Sequence, residues 1–395
     1  MSSSPPLARA TAPPSVRFLD LLAAHAELGG ELERAAARVI ARGAYVLGPE
    51  LERFETDFAR EVGAAHCVGV GCGLDALALA LAARGVRAGD EVIVPGHTFI
   101  ATWLAVTRVG AVPVPVEPSP DGFNIDPDAV SAAIGPRTAA IVPVHLYGEP
   151  AQLGRLRTLA ERHGLALIDD AAQAHGAQLA GEPIGASTDA TAWSFYPAKN
   201  LGALGDGGAV TTNDAALAAR VRRLRNYGSH EKYVHVEQGV NSRLDELQAA
   251  LLSCKLPRLA AWNARRRALA ARYSAGLADL PLRLPAHADA NADAPTTSSA
   301  VPQAEHVFHL YVVRCGEREE LRAALAGAGV ETGVHYPIAC HRQDAFAGTA
   351  AARAHLPVSE RLADEVLSLP IGPHLSDEDA DRVIAAVRAF YEGSA

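Results

Sequence analysis

Between residues 67 and 195 short runs rich in β-branched and small apolar residues alternate with amphipathic stretches, and this alternation leaves the chain few architectures to choose from. Residues 67–70, 91–95, 112–116, 138–144, 166–168 and 190–195 read as strands, with helices over 74–84, 98–109, 126–134 and 152–163 between them. Strands separated by crossover helices at this spacing lie parallel, with helices on both faces. The expected fold class is therefore α/β, a mostly parallel central sheet flanked by helices. Two more helices precede it, one carrying Leu32, Ala35, Ala36, Val39 and Ile40, the other Leu51, Phe54 and Phe58.

A chain of 395 residues holds more than one sheet of this size. A long helix over 246–273 reads as the crossing from a large domain, 16–260, into a small C-terminal α/β domain, 261–395. Residues 1–15, rich in Ser, Pro and Ala, are expected to form a disordered tail, and 285–305, poor in large apolar residues, a mobile surface loop. The formal net charge of −9 argues against nucleic acid as a partner, so any anionic ligand must be gripped locally. No apolar run suffices to span a bilayer, which argues against a membrane partner. The cysteines Cys67, Cys72, Cys254, Cys315 and Cys340 are odd in number and never in C-x-x-C spacing; this fits a cytoplasmic location and suggests no metal site.

Lys199 stands out because the chain has only two other lysines, Lys232 and Lys255, and because it lies among glycines and other small residues, Ser194-Phe195-Tyr196-Pro197-Ala198-Lys199-Asn200-Leu201-Gly202. A ligand can approach the backbone there, and an amine that sheds its proton can form an imine, which a guanidinium cannot. Upstream, Val70-Gly71-Cys72-Gly73-Leu74 ends a strand and opens a helix, offering N–H groups and a positive dipole end to a phosphate; by itself it serves equally as a tight connection. It lacks the acidic partner of a dinucleotide fingerprint. The apolar run Leu165 to Ile168 delivers Asp169 and Asp170 to the strand edge where open α/β sheets bind ligands, although such a pair also reads as a helix cap with a solvated neighbour. An imine lysine, a carboxylate to hold a pyridine nitrogen protonated and a phosphate-binding helix start together describe pyridoxal 5'-phosphate.

These segments, with Asp170-Ala171-Ala172-Gln173-Ala174-His175-Gly176 and Gly239-Val240-Asn241-Ser242-Arg243-Leu244-Asp245-Glu246, resemble the DegT/DnrJ/EryC1/StrS sugar aminotransferases over roughly residues 16–391. The resemblance implies fold type I, with Lys199 as the imine lysine, Asp170 as the pyridinium partner, Gln173 beside the phenolic oxygen and Phe99 stacked on the ring. Cys72, Gly73 and Ser194 would hold the phosphate, with Asn241 supplied by the neighbouring subunit of a homodimer. Many members have Thr where this chain has Leu74, which removes one hydroxyl from the phosphate site. Gly73-Leu74-Asp75-Ala76-Leu77 and Thr98 to Val106 are similar to the subgroup acting on dTDP-linked 3-keto-6-deoxy or 3-keto-4,6-dideoxy hexoses, with L-glutamate as donor, in amino-sugar formation for a glycosylated natural product.

His175 and Tyr196 flank the aspartate and the lysine as candidate proton-relay or substrate groups. Tyr196, Arg225, Tyr227, Lys232, Arg243, His309 and His335 are candidates for holding the sugar nucleotide, each equally readable as structural. A 4-keto aminotransferase is the nearest alternative. A 3-dehydrase of the same family would have histidine at position 199, a non-catalytic ligand-binding regulator would tolerate loss of Lys199 or Asp170, and an NAD-linked oxidoreductase rests on the glycine turn alone.

Overall fold

The computed structural model describes residues 15–285 and 304–393. The expected tail at 1–15 and loop at 285–305 thus lie almost wholly outside the described residues.

Seven strands form the central sheet: β1 (His66–Val70), β2 (Glu91–Pro95), β3 (Val112–Val116), β4 (Thr138–Ile141), β5 (Ala166–Asp170), β6 (Ala190–Ser194) and β7 (Gly208–Thr212), in the spatial order β1-β7-β6-β5-β4-β2-β3. The pairs β2/β3, β2/β4, β4/β5 and β5/β6 are parallel. β7 runs antiparallel between β6 and β1, and the sequence gives it no helix–strand rhythm of its own. The chain leaves β6, makes the loop 195–207 that carries Lys199, and turns straight back as β7. Phe195 N–H bonds Gly207 C=O at 2.8 Å to close that loop at its base.

Helices α1 (Pro49–Glu61), α2 (Gly73–Arg84) and α3 (Ala101–Arg108) pack around this sheet. In α2 Ala76, Leu77, Ala78, Leu79, Ala80, Leu81 and Ala83 are all buried, so the helix is apolar on nearly every side. Its alanines allow the close approach to strands and to α3 that such a buried position requires. α3 begins three residues later than expected, because Gly96 to Ile100 form the turn that leaves β2. The expected helix 246–273 is two helices, α4 (Glu246–Lys255) and α5 (Leu259–Leu277), separated by a 3₁₀ turn, Leu256–Arg258. Pro257 lacks the N–H that a continuous ladder needs there. At the start of α4 the buried Glu246 carboxylate accepts from the N–H groups of Gly48, Glu50 and Leu51 at 2.9, 3.0 and 2.9 Å, capping α1 from another element.

The small lobe packs strands β8 (Tyr311–Arg314) and β9 (Val366–Leu369), an antiparallel pair, against α5 and the helix Asp377–Glu392. Its core includes Leu269, Tyr273, Val313, Leu321, Leu367 and Val383. Val16, expected to open the large domain, is buried in this second core and pairs with Val330. Conversely Cys340, Phe346 and Ala351 belong to the core of the large sheet, where Phe346 meets Trp103 edge-on at 5.0 Å. The two lobes therefore exchange segments rather than parting at residue 260. Among the described residues no helix is long and apolar enough to cross a membrane.

Candidate active site

β1, β5 and β6 point their carboxyl ends to one edge, and there they deliver the Gly71–Gly73 turn, Asp170 and Ser194. Asp170 is buried, with Oδ2 accepting from Thr102 Oγ1 at 2.8 Å and Oδ1 from Ala172 N–H at 3.2 Å. Burial pushes its carboxyl up, and those two donors with nearby Lys199 and His145 oppose the rise. Lys199 lies close enough to interact with Asp170, and burial lowers its amine to about 8 although the carboxylate pulls the other way. The loop thus brings together the two residues that sequence reasoning placed at the centre.

The turn before α2 is held in place by a chain of hydrogen bonds. Gly71 N–H donates to Ser242 Oγ at 3.0 Å; Ser242 donates on to Asp75 Oδ2 at 2.6 Å, and Arg108 holds the other carboxylate oxygen at 2.5 Å. Cys72 is the N-cap residue of α2, its Sγ accepting from Asp75 N–H at 3.5 Å. A Cβ on Gly73 would lie 2.6 Å from Ser194 Cβ, so the helix start and the serine close on one another only because that residue is glycine. Leu74 turns onto the core instead of offering a polar group. The residues fit pyridoxal phosphate: a buried carboxylate pressed upward by desolvation is relieved by a protonated ring nitrogen, and a helix N-terminus with Ser194 beside it suits the phosphate.

Around the place where a ring would lie, Phe99 is 51% exposed and tilts against Tyr336 at 5.3 Å. Gln173 is fixed in orientation, because Tyr147 N–H bonds its Oε1 at 2.6 Å, and this turns Nε2 to donate to Tyr336 Oη at 3.0 Å. Tyr147 Oη donates to the His335 carbonyl, so His97 Nε2, 2.9 Å away, is its donor. Burial holds His97 at about 4, and burial with Lys199 holds His335 at about 4; His335 Nδ1 is 2.8 Å from Ser368 Oγ. Asn200 donates to Asn263 Oδ1 and Val307 C=O, leaving its Oδ1 to accept from His309 Nδ1 at 3.2 Å. Burial and Lys199 push His309 well below the usual imidazole range. Thr102, Tyr147, Tyr336, His97, Asn200, Asp75 and Ser242 had no role assigned from sequence. The i,i+4 pair Thr98 and Thr102 just past a strand end was the one local signal available.

Other candidates fall elsewhere. His175 is fully buried among Phe58, Trp193 and Phe195, with the Ser194 backbone as a polar neighbour of its ring. Burial, reinforced by Lys199, lowers it to about 3, so its ring is neutral near neutral pH. Arg225 is buried and donates to Glu55 Oε1 and Gly69 C=O, each at 2.6 Å, so its guanidinium braces β1 instead of presenting a free face to a sugar diphosphate. Tyr196 is 56% exposed beside the lysine loop. Tyr227, Lys232, Asn241 and Arg243 lie on the exposed segment 226–243, where Asn226 bridges to Asn241 and Arg243 sits over the Tyr227 ring at 5.6 Å. None of these four is hydrogen-bonded to Asp170 or Lys199 among the described residues, and Lys232 rests instead over the Tyr233 ring at 5.2 Å.

Comparison with known proteins places this geometry. The chain is 56% identical over 375 residues to the erythromycin biosynthesis sensory transduction protein EryC1 of Saccharopolyspora erythraea, covering 95% of this chain and 99% of that one. It is 53% identical over 380 residues to the dTDP-3-amino-3,4,6-trideoxy-alpha-D-glucose transaminase of Streptomyces venezuelae, covering 96% and 97%. The crystal structure of S. venezuelae DesV in complex with a ketimine intermediate superposes with a TM-score of 0.91 at 53% identity over 96% of this chain and 99% of that chain. NtdA of Bacillus subtilis, solved with bound cofactor PMP, superposes at 0.88 with 31% identity over 98% of this chain and 87% of that one. Residues 27–388 match the profile of the DegT/DnrJ/EryC1/StrS aminotransferase family, and the chain belongs to that family.

Proposed function

We propose that this pyridoxal phosphate-dependent aminotransferase moves an amino group from L-glutamate to C3 of a dTDP-linked 3-keto-6-deoxy or 3-keto-4,6-dideoxy hexose, an amino-sugar step toward a glycosylated natural product, as a cytoplasmic homodimer. The observation that carries the chemistry is the pairing of half-buried Lys199, its amine lowered to about 8, with buried Asp170 at the carboxyl edge of the sheet. The transaminase relative at 53% identity supports the choice of sugar.

When bound, the cofactor supplies an aldehyde carbon that carries the amino group and a ring that takes up the electrons left when a proton departs. The residues of the chain do the rest. Asp170, which accepts from Thr102 and the Ala172 N–H, would hold positive charge on the ring nitrogen. The start of α2 and Ser194 hold the phosphate, and the pinned Gln173 amide and Phe99 orient the ring. Lys199 Nζ would remove the donor's α-proton in the first half-reaction and return a proton to the sugar's C3 in the second. Donor and sugar occupy the site in turn, so two unlike molecules share one base. Asn241, exposed on 226–243, reaches the neighbouring subunit's phosphate in this reading.

EryC1 carries a name of sensory kind, and a 42% identical relative from Geobacillus stearothermophilus is a pleiotropic regulatory protein. Retention of both Lys199 and Asp170 favours catalysis over regulation alone. The test converts the protein to its amine form with glutamate and offers 3-keto and 4-keto sugar nucleotides, reading the return of the aldehyde absorption. Restoration by the 3-keto sugars is expected; restoration by 4-keto sugars alone, or an Lys199→Ala variant that turns over normally, refutes the proposal.

A further inference from the structure

Asp170 is served by a directed chain of hydroxyls. An ionised carboxylate only accepts, so the 2.8 Å bond to Oδ2 uses the single proton of Thr102. Thr98 Oγ1, 3.1 Å from Thr102 Oγ1, must then donate to it. Both threonines are buried, at 2% and 1% exposure, Thr98 in the turn that leaves β2 and Thr102 in the first turn of α3, so packing fixes their geometry. The direction Thr98 to Thr102 to Asp170 places two aligned O–H dipoles with their positive ends toward the carboxylate, in a setting where hydrogen bonds polarise one another.

We propose that Thr102, with Thr98 behind it, is a positioning residue that keeps the proton shared by Asp170 and the cofactor's ring nitrogen on the nitrogen. This rests on the reading of Asp170 as the partner of that nitrogen. A proton between a carboxylate and a pyridine settles on whichever is the stronger base. Burial makes Asp170 more basic, and the Thr102 and Ala172 donors reverse part of that change. Loss of the Thr102 hydroxyl therefore moves the proton from nitrogen to carboxyl, giving a neutral pair and a ring that no longer draws electrons strongly. The other titratable groups facing Asp170 are Lys199 on the β6–β7 loop, Tyr336 from the small lobe, and His145, which also lies 3.6 Å from Asp169. None of them is removed by a change at position 102.

The experiment reconstitutes the holoenzyme with pyridoxal phosphate carrying ¹⁵N in its ring and follows the ring-nitrogen shift against pH, together with the single-turnover rate of the glutamate half-reaction. In Thr102→Val the shift moves toward that of neutral pyridine and the half-reaction slows about tenfold or more, the effect of losing one charge-assisted hydrogen bond. Thr102→Ser restores both, and Thr98→Val gives a smaller change of the same sign. An unchanged nitrogen shift in Thr102→Val overturns the proposal even if activity falls, since a loss of packing alone would slow turnover without moving the proton. A serine variant that behaves like valine overturns it too. Should Thr102→Val not fold, Thr98→Val decides by the same two readouts. Asp170→Asn separates the premises: if it shifts the nitrogen while both threonine variants do not, the hydroxyl chain is refuted and Asp170 stands; if it does not shift the nitrogen, both fall.

Discussion

Gly73→Ala isolates the phosphate grip from the rest of the site. An added Cβ lies 2.6 Å from Ser194 Cβ and 3.2 Å from both its Cα and Oγ, where ordinary contact begins near 3.4 Å, so helix start and serine must part by about 0.8 Å. Ser194 ends β6, paired with β7 from Thr191↔Thr211 to Ser194↔Gly208, and cannot retreat alone. The shift falls on the first turn of α2, which carries the N–H groups proposed to hold the phosphate. Overpacking of this kind costs the fold about 1–3 kcal/mol, a loss the apo melting curve reads apart from cofactor binding. A charge-assisted hydrogen bond pulled 0.8 Å out of place forfeits most of about 1.5–3 kcal/mol, a roughly 10- to 100-fold weaker cofactor Kd. Titration of the apoenzyme with pyridoxal phosphate, followed by absorbance, gives that constant, and a melting curve of the apo form checks the fold. A Kd within about twofold of the parent, with the fold intact, refutes the assignment of this turn to the phosphate.

Arg225→Met leaves Glu55 with a side chain only 11% exposed and without its close cation, so unfolding free energy should fall by about 3–5 kcal/mol in urea titration while the KM for sugar nucleotide in the folded fraction stays put; a KM rise at unchanged stability would return Arg225 to the substrate site. Glu246→Gln turns an amide N–H₂ toward one of the three N–H groups now capped at α1, and the expected loss is about 2–3 kcal/mol, seen as a lower melting temperature; no change would mean that water caps the helix equally well. With Lys199 lowered to about 8, its amine is mostly protonated and inert below that pH and free above it, so acylation of Lys199 in the apoenzyme, read by peptide mass, should rise with a midpoint about 8; a midpoint near the ordinary 10.5 would mean the amine is not desolvated.

The parts of the site legible in the sequence are those set by local chemistry. Lys199 announces itself by its glycine-flanked loop, the turn at Gly71 by its place between a strand and a helix, and Asp170 by the apolar run that ends on it. The parts not legible depend on contacts between distant segments. Thr102 is an unremarked helical threonine until β5 brings Asp170, 68 residues on, against it. Arg225 carries no local sign that its partners are Glu55 and Gly69, 170 and 156 residues earlier. β7 is missed for a related reason: Gly208-Ala209-Val210-Thr211-Thr212 is short and follows a loop, and its partners are decided by the hairpin that presents the lysine.

The histidines around Lys199 carry a consequence for the chemistry. His175 is held at about 3 and His335 at about 4, each first by burial and then by the lysine, and His309 lies lower than the ordinary range for the same reasons. None is an imidazolium near neutral pH, and as neutral rings they lack the proton an acid would give. Tyr336 is pushed above the ordinary phenol range by burial, so it keeps its proton. Among these groups Lys199 is the one whose lowered value brings it within reach of neutrality, which supports its proposed part in proton transfer. The same apolar packing that silences the imidazoles is what activates the amine. A substitution that let water into this pocket would thus release competing acids while returning the lysine toward its inert, protonated form.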